Sequence, residues 1–199
     1  ILVEPQLGEN IGMVARAMAN FGLAELRLVN PRDGWPSEKA RSAASKADHV
    51  IDATTVFDTL EEAIKDLNFV YATTARERYG FKPVRSPVTA ADTLRAKFKA
   101  GEKTGILFGR ERWGLTNEEV ALADEIVTFP VNPAFASLNI AQAVLLMSYE
   151  WMKSGMDDLG ETLFQSVEQR PSTKEQVFGL FEHLEEALDA RGYFHPAET

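Results

Sequence analysis

The chain has 199 residues, 45% of them hydrophobic and 26% charged, with a formal net charge of −9 and no cysteine. That length holds one domain of ordinary size plus an appendage, and no run of 18 apolar residues is available to span a membrane. The lack of cysteine excludes disulfides, thiolate metal sites and a cysteine nucleophile and fits a cytoplasmic protein, while His49, His183 and His195 lack ligand spacing, so no metal is expected.

In chain order, Ile1–Val3 reads as a strand, and a chain that starts inside a strand is expected to be a portion of something longer. A helix is predicted near 10–21, a strand at Leu26–Val29, a helix near 37–46 and a strand at His49–Ile51. A helix near 58–66 carries the start signature Asp58 with Glu61. The strand Phe69–Ala72 follows, then a helix near 89–99 started by Thr89 with Asp92. The strand Gly105–Phe108 leads to a helix near 116–123 started by Thr116 with Glu119. Last come the strand Glu125–Val131 and a long helix over 139–153. This alternation predicts an α/β domain with a mostly parallel sheet and helices on both faces. In such sheets ligands sit beyond the carboxyl ends of the strands.

Near residue 154 the character changes. Ser154-Gly155-Met156-Asp157-Asp158 reads as a hinge, which divides the chain into a domain at 1–154 and an acidic helical extension at 155–199. In the extension, Phe178, Phe181, Leu184 and Leu188 alternate with glutamates as an amphipathic helix ending near Gly192. The acidity is concentrated there: residues 1–100 carry 14 basic and 13 acidic side chains (+1), residues 101–155 carry 4 and 7 (−3), and residues 156–199 carry 3 and 10 (−7). Against it stands a basic loop with two aromatics, Arg76 to Arg85, whose composition suits phosphates and unstacked bases.

Three segments stand out. Asn10-Ile11-Gly12-Met13-Val14-Ala15-Arg16 opens a helix in which Arg16 is isolated among apolar and small residues, so it is expected to be paired, to face a partner or to reach solvent. Phe108-Gly109-Arg110-Glu111-Arg112-Trp113-Gly114-Leu115 leaves a buried strand, and Gly109 permits close backbone approach by a ligand. Phe129 to Asn139 is a two-proline turn before the long helix, where Ser137 and Asn139 are both competent N-caps.

Together these segments resemble the SPOUT superfamily of RNA methyltransferases, specifically its TrmH/TrmJ-type ribose 2′-O-methyltransferases. Asn10…Arg16 matches the first motif, Phe108-Gly109-Arg110-Glu111 through Gly114-Leu115 the second, and Asn132-Pro133…Ser137-Leu138-Asn139 with the Ala-rich helix the third. The likeness covers roughly residues 1–153 and is greatest to the TrmJ branch, which methylates tRNA in the anticodon loop. The resemblance implies a C-terminal trefoil knot, a homodimer with the active site at the subunit interface, and S-adenosylmethionine as methyl donor, with no metal. It places the cofactor against Thr73, Thr74, Ala75, Gly109, Phe129, Val131, Ala136, Ser137 and Leu138, with Leu107 joining the apolar slot for adenine. It makes Arg16 the candidate base, positioned with Asn10, Glu111, Ser137 and Asn139; because a guanidinium is a poor proton acceptor, a phosphate clamp is the alternative role. RNA contacts are expected from Arg76, Arg78, Lys82, Arg85, Arg110 and Arg112. The alternatives are ribosomal RNA as substrate and a non-catalytic RNA-binding module on the same fold. A dinucleotide-dependent oxidoreductase is disfavoured, because the first turn, Pro5 to Asn10, holds one glycine.

Overall fold

The computed structural model describes residues 1–75, 82–156 and 173–194. The chain divides into two compact units, Ile1–Leu159 and Gly160–Thr199. The first holds β1 (Leu2–Val3), α1 (Gly8–Asn20), β2 (Arg27–Val29), α2 (Glu38–Ala43), α3 (Asp48–Asp52), β3 (Thr55–Phe57), α4 (Leu60–Ile64) and β4 (Phe69–Thr73). It continues with β5 (Val84–Arg85), α5 (Pro87–Lys99), β6 (Thr104–Leu107), α6 (Asn117–Leu122), β7 (Glu125–Val127), a 3-10 turn at Pro133–Phe135 and α7 (Ile140–Lys153).

Among the described residues every pairing between the named strands is parallel. β1-β2-β3 form one ladder and β5-β7-β4-β6 another. The two join where Leu2 bridges Phe108, with Val3 N–H donating to Phe108 O at 2.8 Å and Phe108 N–H to Ile1 O at 2.9 Å. Side chains then alternate across the sheet. Leu2, Leu28, Tyr71, Phe108 and Val127 pack with Ile11, Val14, Leu94, Val144 and Met147 from α1, α5 and α7. Val3, Val29, Ala72, Leu107 and Ile126 pack on the other face with Leu60, Ala63 and Val120 from α4 and α6. The expected architecture of a parallel sheet covered on both faces is observed.

Some elements differ from expectation. His49–Ile51 lies in the short helix α3, and the strand is Thr55–Phe57. β5 is an additional edge strand paired to β7. The Thr116–Glu119 capping box is present. However, α4 is capped by Thr59 rather than Asp58, and α5 by Ser86 with Pro87 in its first turn rather than by Thr89. In each case a nearby hydroxyl, one residue after Asp58 and three before Thr89, meets the free N–H groups instead.

α1 buries Ile11, Val14, Ala15 and Met18, and it lies tight against α2. A Cβ on Gly12 would stand 2.1 Å from Ala40 O and 2.7 Å from Ala43 Cβ, so only glycine permits this approach. In the second unit, α8 (Lys174–Asp189) starts with a Thr173–Gln176 capping box and leaves Phe178, Phe181 and Leu184 exposed.

Candidate active site

At the carboxyl ends of β4, β6 and β7, three loops and the start of α7 enclose a cavity of about 360 Å³. That is within the usual range for small-molecule sites. Thr73, Thr74 and Ala75 line it from the end of β4, and Phe108 to Leu115 from the loop after β6. Phe129 and Val131 come from the segment after β7, with Ala136, Ser137, Leu138, Ile140 and Ala143 from the turn into α7. All nine residues expected to hold the cofactor therefore face one space. Leu107 does not: it is fully buried in the core, and its neighbour Phe108 lines the cavity instead. Strand alternation decides this, since adjacent residues point to opposite faces.

The loop after β6 is closed from inside. A Cβ on Gly109 would meet the Gly114 carbonyl carbon at 2.2 Å and Leu115 N at 2.3 Å, so glycine is required where the loop folds back on itself. Gly114 N–H donates to Arg110 O at 2.8 Å. Arg110 Nε donates to Glu4 at 2.7 Å, and its two terminal nitrogens donate to the Glu119 carboxylate at 3.0 and 2.9 Å. The Glu4 hydrogen bond, followed by that to Glu119, raises the Arg110 pKa; the reciprocal bond from Arg110 holds the Glu4 carboxyl below its ordinary value. Arg110, expected on RNA, is therefore engaged within its own chain, with a side chain only 14% exposed.

Two other cations expected on RNA are engaged likewise. Lys82 Nζ donates to Ala121 O at 3.0 Å and to Ala123 O, satisfying carbonyls at the end of α6. Arg85 pairs with Glu125 at 2.8 Å, and this contact lowers the Glu125 pKa and raises that of Arg85. Arg76 and Arg78 lie outside the described residues. Arg112 remains exposed at the cavity, its guanidinium carbon 5.0 Å from the centroid of the exposed Trp113 ring.

A chain of polar contacts ties the three segments together beside the cavity. The Glu111 carboxylate accepts from Gln6 N–H at 2.9 Å, Leu7 N–H at 3.3 Å and Asn10 Nδ2 at 3.0 Å. α1 starts at Gly8, two residues before Asn10, without a side-chain cap of its own, and Glu111 supplies acceptors to the preceding turn from 104 and 105 residues away. Asn10 Oδ1 accepts from Asn139 Nδ2 at 3.2 Å, while Asn139 Oδ1 caps α7 by accepting from Ala141 N–H at 2.8 Å. Of the two competent caps, Asn139 performs that task, which leaves Ser137 to line the cavity. Asn10 is 5% exposed yet fully partnered, as a buried amide must be.

Arg16 stands apart. It lies on the exposed stripe of α1 with Glu9, Met13 and Asn20, donates to Ser45 Oγ at 3.4 Å, and does not line the cavity of its own chain. α1 packs against α7, and both helices leave apolar groups outside: Met13 on α1, and Leu145, Leu146, Tyr149 and Met152 on α7. Among the described residues no cluster of acidic or histidine side chains could hold a metal, and no helix is long and apolar enough to cross a membrane.

Comparison with known proteins gives a consistent picture. The chain is 36% identical over 203 residues to the tRNA (cytidine/uridine/adenosine-2′-O-)-methyltransferase TrmJ of Pseudomonas aeruginosa, covering 98% of this chain and 79% of that one. It is similar to the crystal structure of TrmJ from Z. mobilis ZM4, with 50% identity, a TM-score of 0.73 and coverage of 98% and 81%. A further solved structure, concerned with 2-OH methylation of C/U34 on tRNA, is 28% identical with a TM-score of 0.60, covering 77% of this chain and 92% of that one. The profile of the SpoU rRNA Methylase family matches residues 1–149, the stretch that contains all three converging segments, and the chain belongs to that family.

Proposed function

We propose that the protein transfers a methyl group from S-adenosylmethionine to a ribose 2′-hydroxyl of tRNA, in the anticodon loop. The observation that carries this reading is the convergence of the three distant segments on one cavity whose lining includes all nine expected cofactor residues. The lining fits the donor. Thr73, Thr74, Ser137 and the Gly109 backbone offer polar groups for the amino-acid and ribose parts, and Phe108, Phe129, Val131 and Leu138 offer an apolar slot for adenine. The TrmJ relatives, named as tRNA 2′-O-methyltransferases, support tRNA as substrate, and the structure concerned with C/U34 supports the anticodon loop.

S-adenosylmethionine supplies an electrophilic methyl on a sulfonium. The ribose oxygen forms the new O–CH3 bond as the S–CH3 bond breaks, its proton passing to solvent water and S-adenosylhomocysteine leaving, which requires in-line placement of the hydroxyl. Asn10, Glu111 and Asn139 hold the starts of α1 and α7 in register around that position, and Ser137 faces it. Arg16 enters from a second copy in a homodimer packed through the apolar faces of α1 and α7, whose exposed Met13, Leu145, Leu146 and Tyr149 motivate this assembly. A guanidinium has five donors and no acceptor, so the clamp role is preferred: Arg16 grips the phosphate beside the target ribose and stabilises charge growing on the oxygen. The family's trefoil knot would form the floor of the cavity. The protein acts in the cytoplasm without a metal.

Labelled S-adenosylmethionine incubated with unfractionated tRNA and with ribosomal RNA, followed by nucleoside mapping, tests the reading. A 2′-O-methylated nucleoside in the anticodon loop is expected. Label on a base, or on ribosomal RNA alone, overturns it.

A further inference from the structure

We infer that Trp113 is a stacking platform for the base of the nucleotide being methylated, with Arg112 holding a flanking phosphate; this rests on the tRNA methyltransferase reading above. A ribose whose 2′-hydroxyl reaches a cavity of this size must leave the stacked strand, and its base then needs a new apolar surface. Trp113 lies in the cavity lining and is 58% exposed, an unusual state for the largest apolar side chain. Its partner is cationic: the Arg112 guanidinium carbon lies 5.0 Å from the ring centroid, and among the described residues Arg112 enters no ion pair.

The engagement of the other cations makes this pair distinctive. Arg110, between the same two glycines, is spent on Glu4 and Glu119, and Lys82 and Arg85 are bound to Ala121, Ala123 and Glu125. In a chain of net charge −9, Arg112 is thus, among the described residues, the basic side chain at the cavity left to meet a phosphate, and it stands beside an exposed indole. The turn that carries both is rigid at its base, through Gly114 N–H to Arg110 O at 2.8 Å and the Arg110 ion pairs to Glu4 and Glu119. The backbone that carries the indole is therefore set before RNA arrives, and preorganisation lowers the ordering cost of binding. Stacking on indole is tolerant of base identity, so Trp113 contributes affinity and placement rather than a choice of base.

The test is the affinity of the full chain for unfractionated tRNA, measured by filter binding with S-adenosylhomocysteine present, in wild type, Trp113→Ala and Trp113→Phe. Calorimetric titration with S-adenosylmethionine and sedimentation run in parallel. Trp113→Ala is expected to weaken tRNA binding from about 5-fold to on the order of 100-fold. Trp113→Phe should stay within a few-fold of wild type, with cofactor affinity and oligomeric state unchanged in both. A Trp113→Ala affinity within twofold of wild type overturns the inference. So does an equal loss of cofactor affinity, which would make Trp113 a wall of the cofactor site, or a loss of self-association, which would make it an interface residue. Wild type that binds cofactor but no tRNA overturns the tRNA reading and this inference together, before any variant is made.

Discussion

The cavity and the exposed stripe of α1 are built on opposite principles. Around the cavity a network of polar groups is answered within the chain: Glu111 accepts three N–H groups, Asn139 donates to Asn10, and Arg110 is held by Glu4 and Glu119. The face that carries Arg16 has a 3.4 Å contact from Arg16 to Ser45, an exposed 3.5 Å ion pair between Glu9 and Lys39, and an exposed Met13. On the proposed function, the contrast assigns cofactor binding to groups gathered within one chain and turnover to a cation on the outer face of α1, to be used where another surface meets it. Binding and turnover should then separate under mutation.

The largest effect is expected from Arg16→Ala. Its single-turnover rate should fall on the order of 100- to 1,000-fold, as for loss of one charge-stabilising donor, while calorimetry finds S-adenosylmethionine affinity intact. Arg16→Lys should recover part of the rate if the cation acts as a clamp. A collapse of cofactor affinity in Arg16→Ala would break the comparison, because it would bring Arg16 into the cavity.

Next is Gly109→Ala. The added methyl meets backbone at 2.2 and 2.3 Å with no flexible side chain to yield, so the loop must open. Denaturant unfolding should show a loss of about 1–3 kcal/mol, accompanied by weaker cofactor binding. Glu111→Ala should cost a comparable amount, about 1–3 kcal/mol shared among the N–H groups of Gln6 and Leu7 and the Asn10 amide, some of which water can reach. Unchanged stability in Glu111→Ala would sharpen the case for a purely catalytic carboxylate.

The smallest effect is on acid stability. Arg110 lowers the folded pKa of Glu4, and Arg85 that of Glu125, from an ordinary value of 4.5. A depressed carboxylate contributes stability that is fully present above its unfolded pKa and is lost as pH falls through the folded value. The stability contributed by these two carboxylates should therefore be complete above about pH 5 and decline below about pH 4.5, with a shallower acid-side decline in Arg85→Met, read by urea midpoints across pH. A steeper acid-side decline in that variant would contradict the assigned pairing.

Much of this was legible from sequence because the signals are local. The α1 pattern Ile11, Val14, Ala15, Met18 has helical period, and Thr116 with Glu119 forms its capping box within one turn. The errors occur where local signals are short. His49–Ile51 is an apolar run too brief to separate strand from helix by period, and it fell to α3. β5 has two residues and exists because β7 offers it an open edge.

Sequence by itself determined the alternation of strands and helices, the three segments bearing small and polar residues, and the family. Tertiary structure decided which of those groups remain available. Lys82, Arg85 and Arg110 look alike as cations in a list of residues, but partners from other elements consume them. Glu111 supports the turn into α1 only because β1 and β6 lie side by side. The reason is physical: hydrogen bonds and ion pairs depend on distance in space, and a separation of 101 residues along the chain leaves no periodic trace of a 3.0 Å contact.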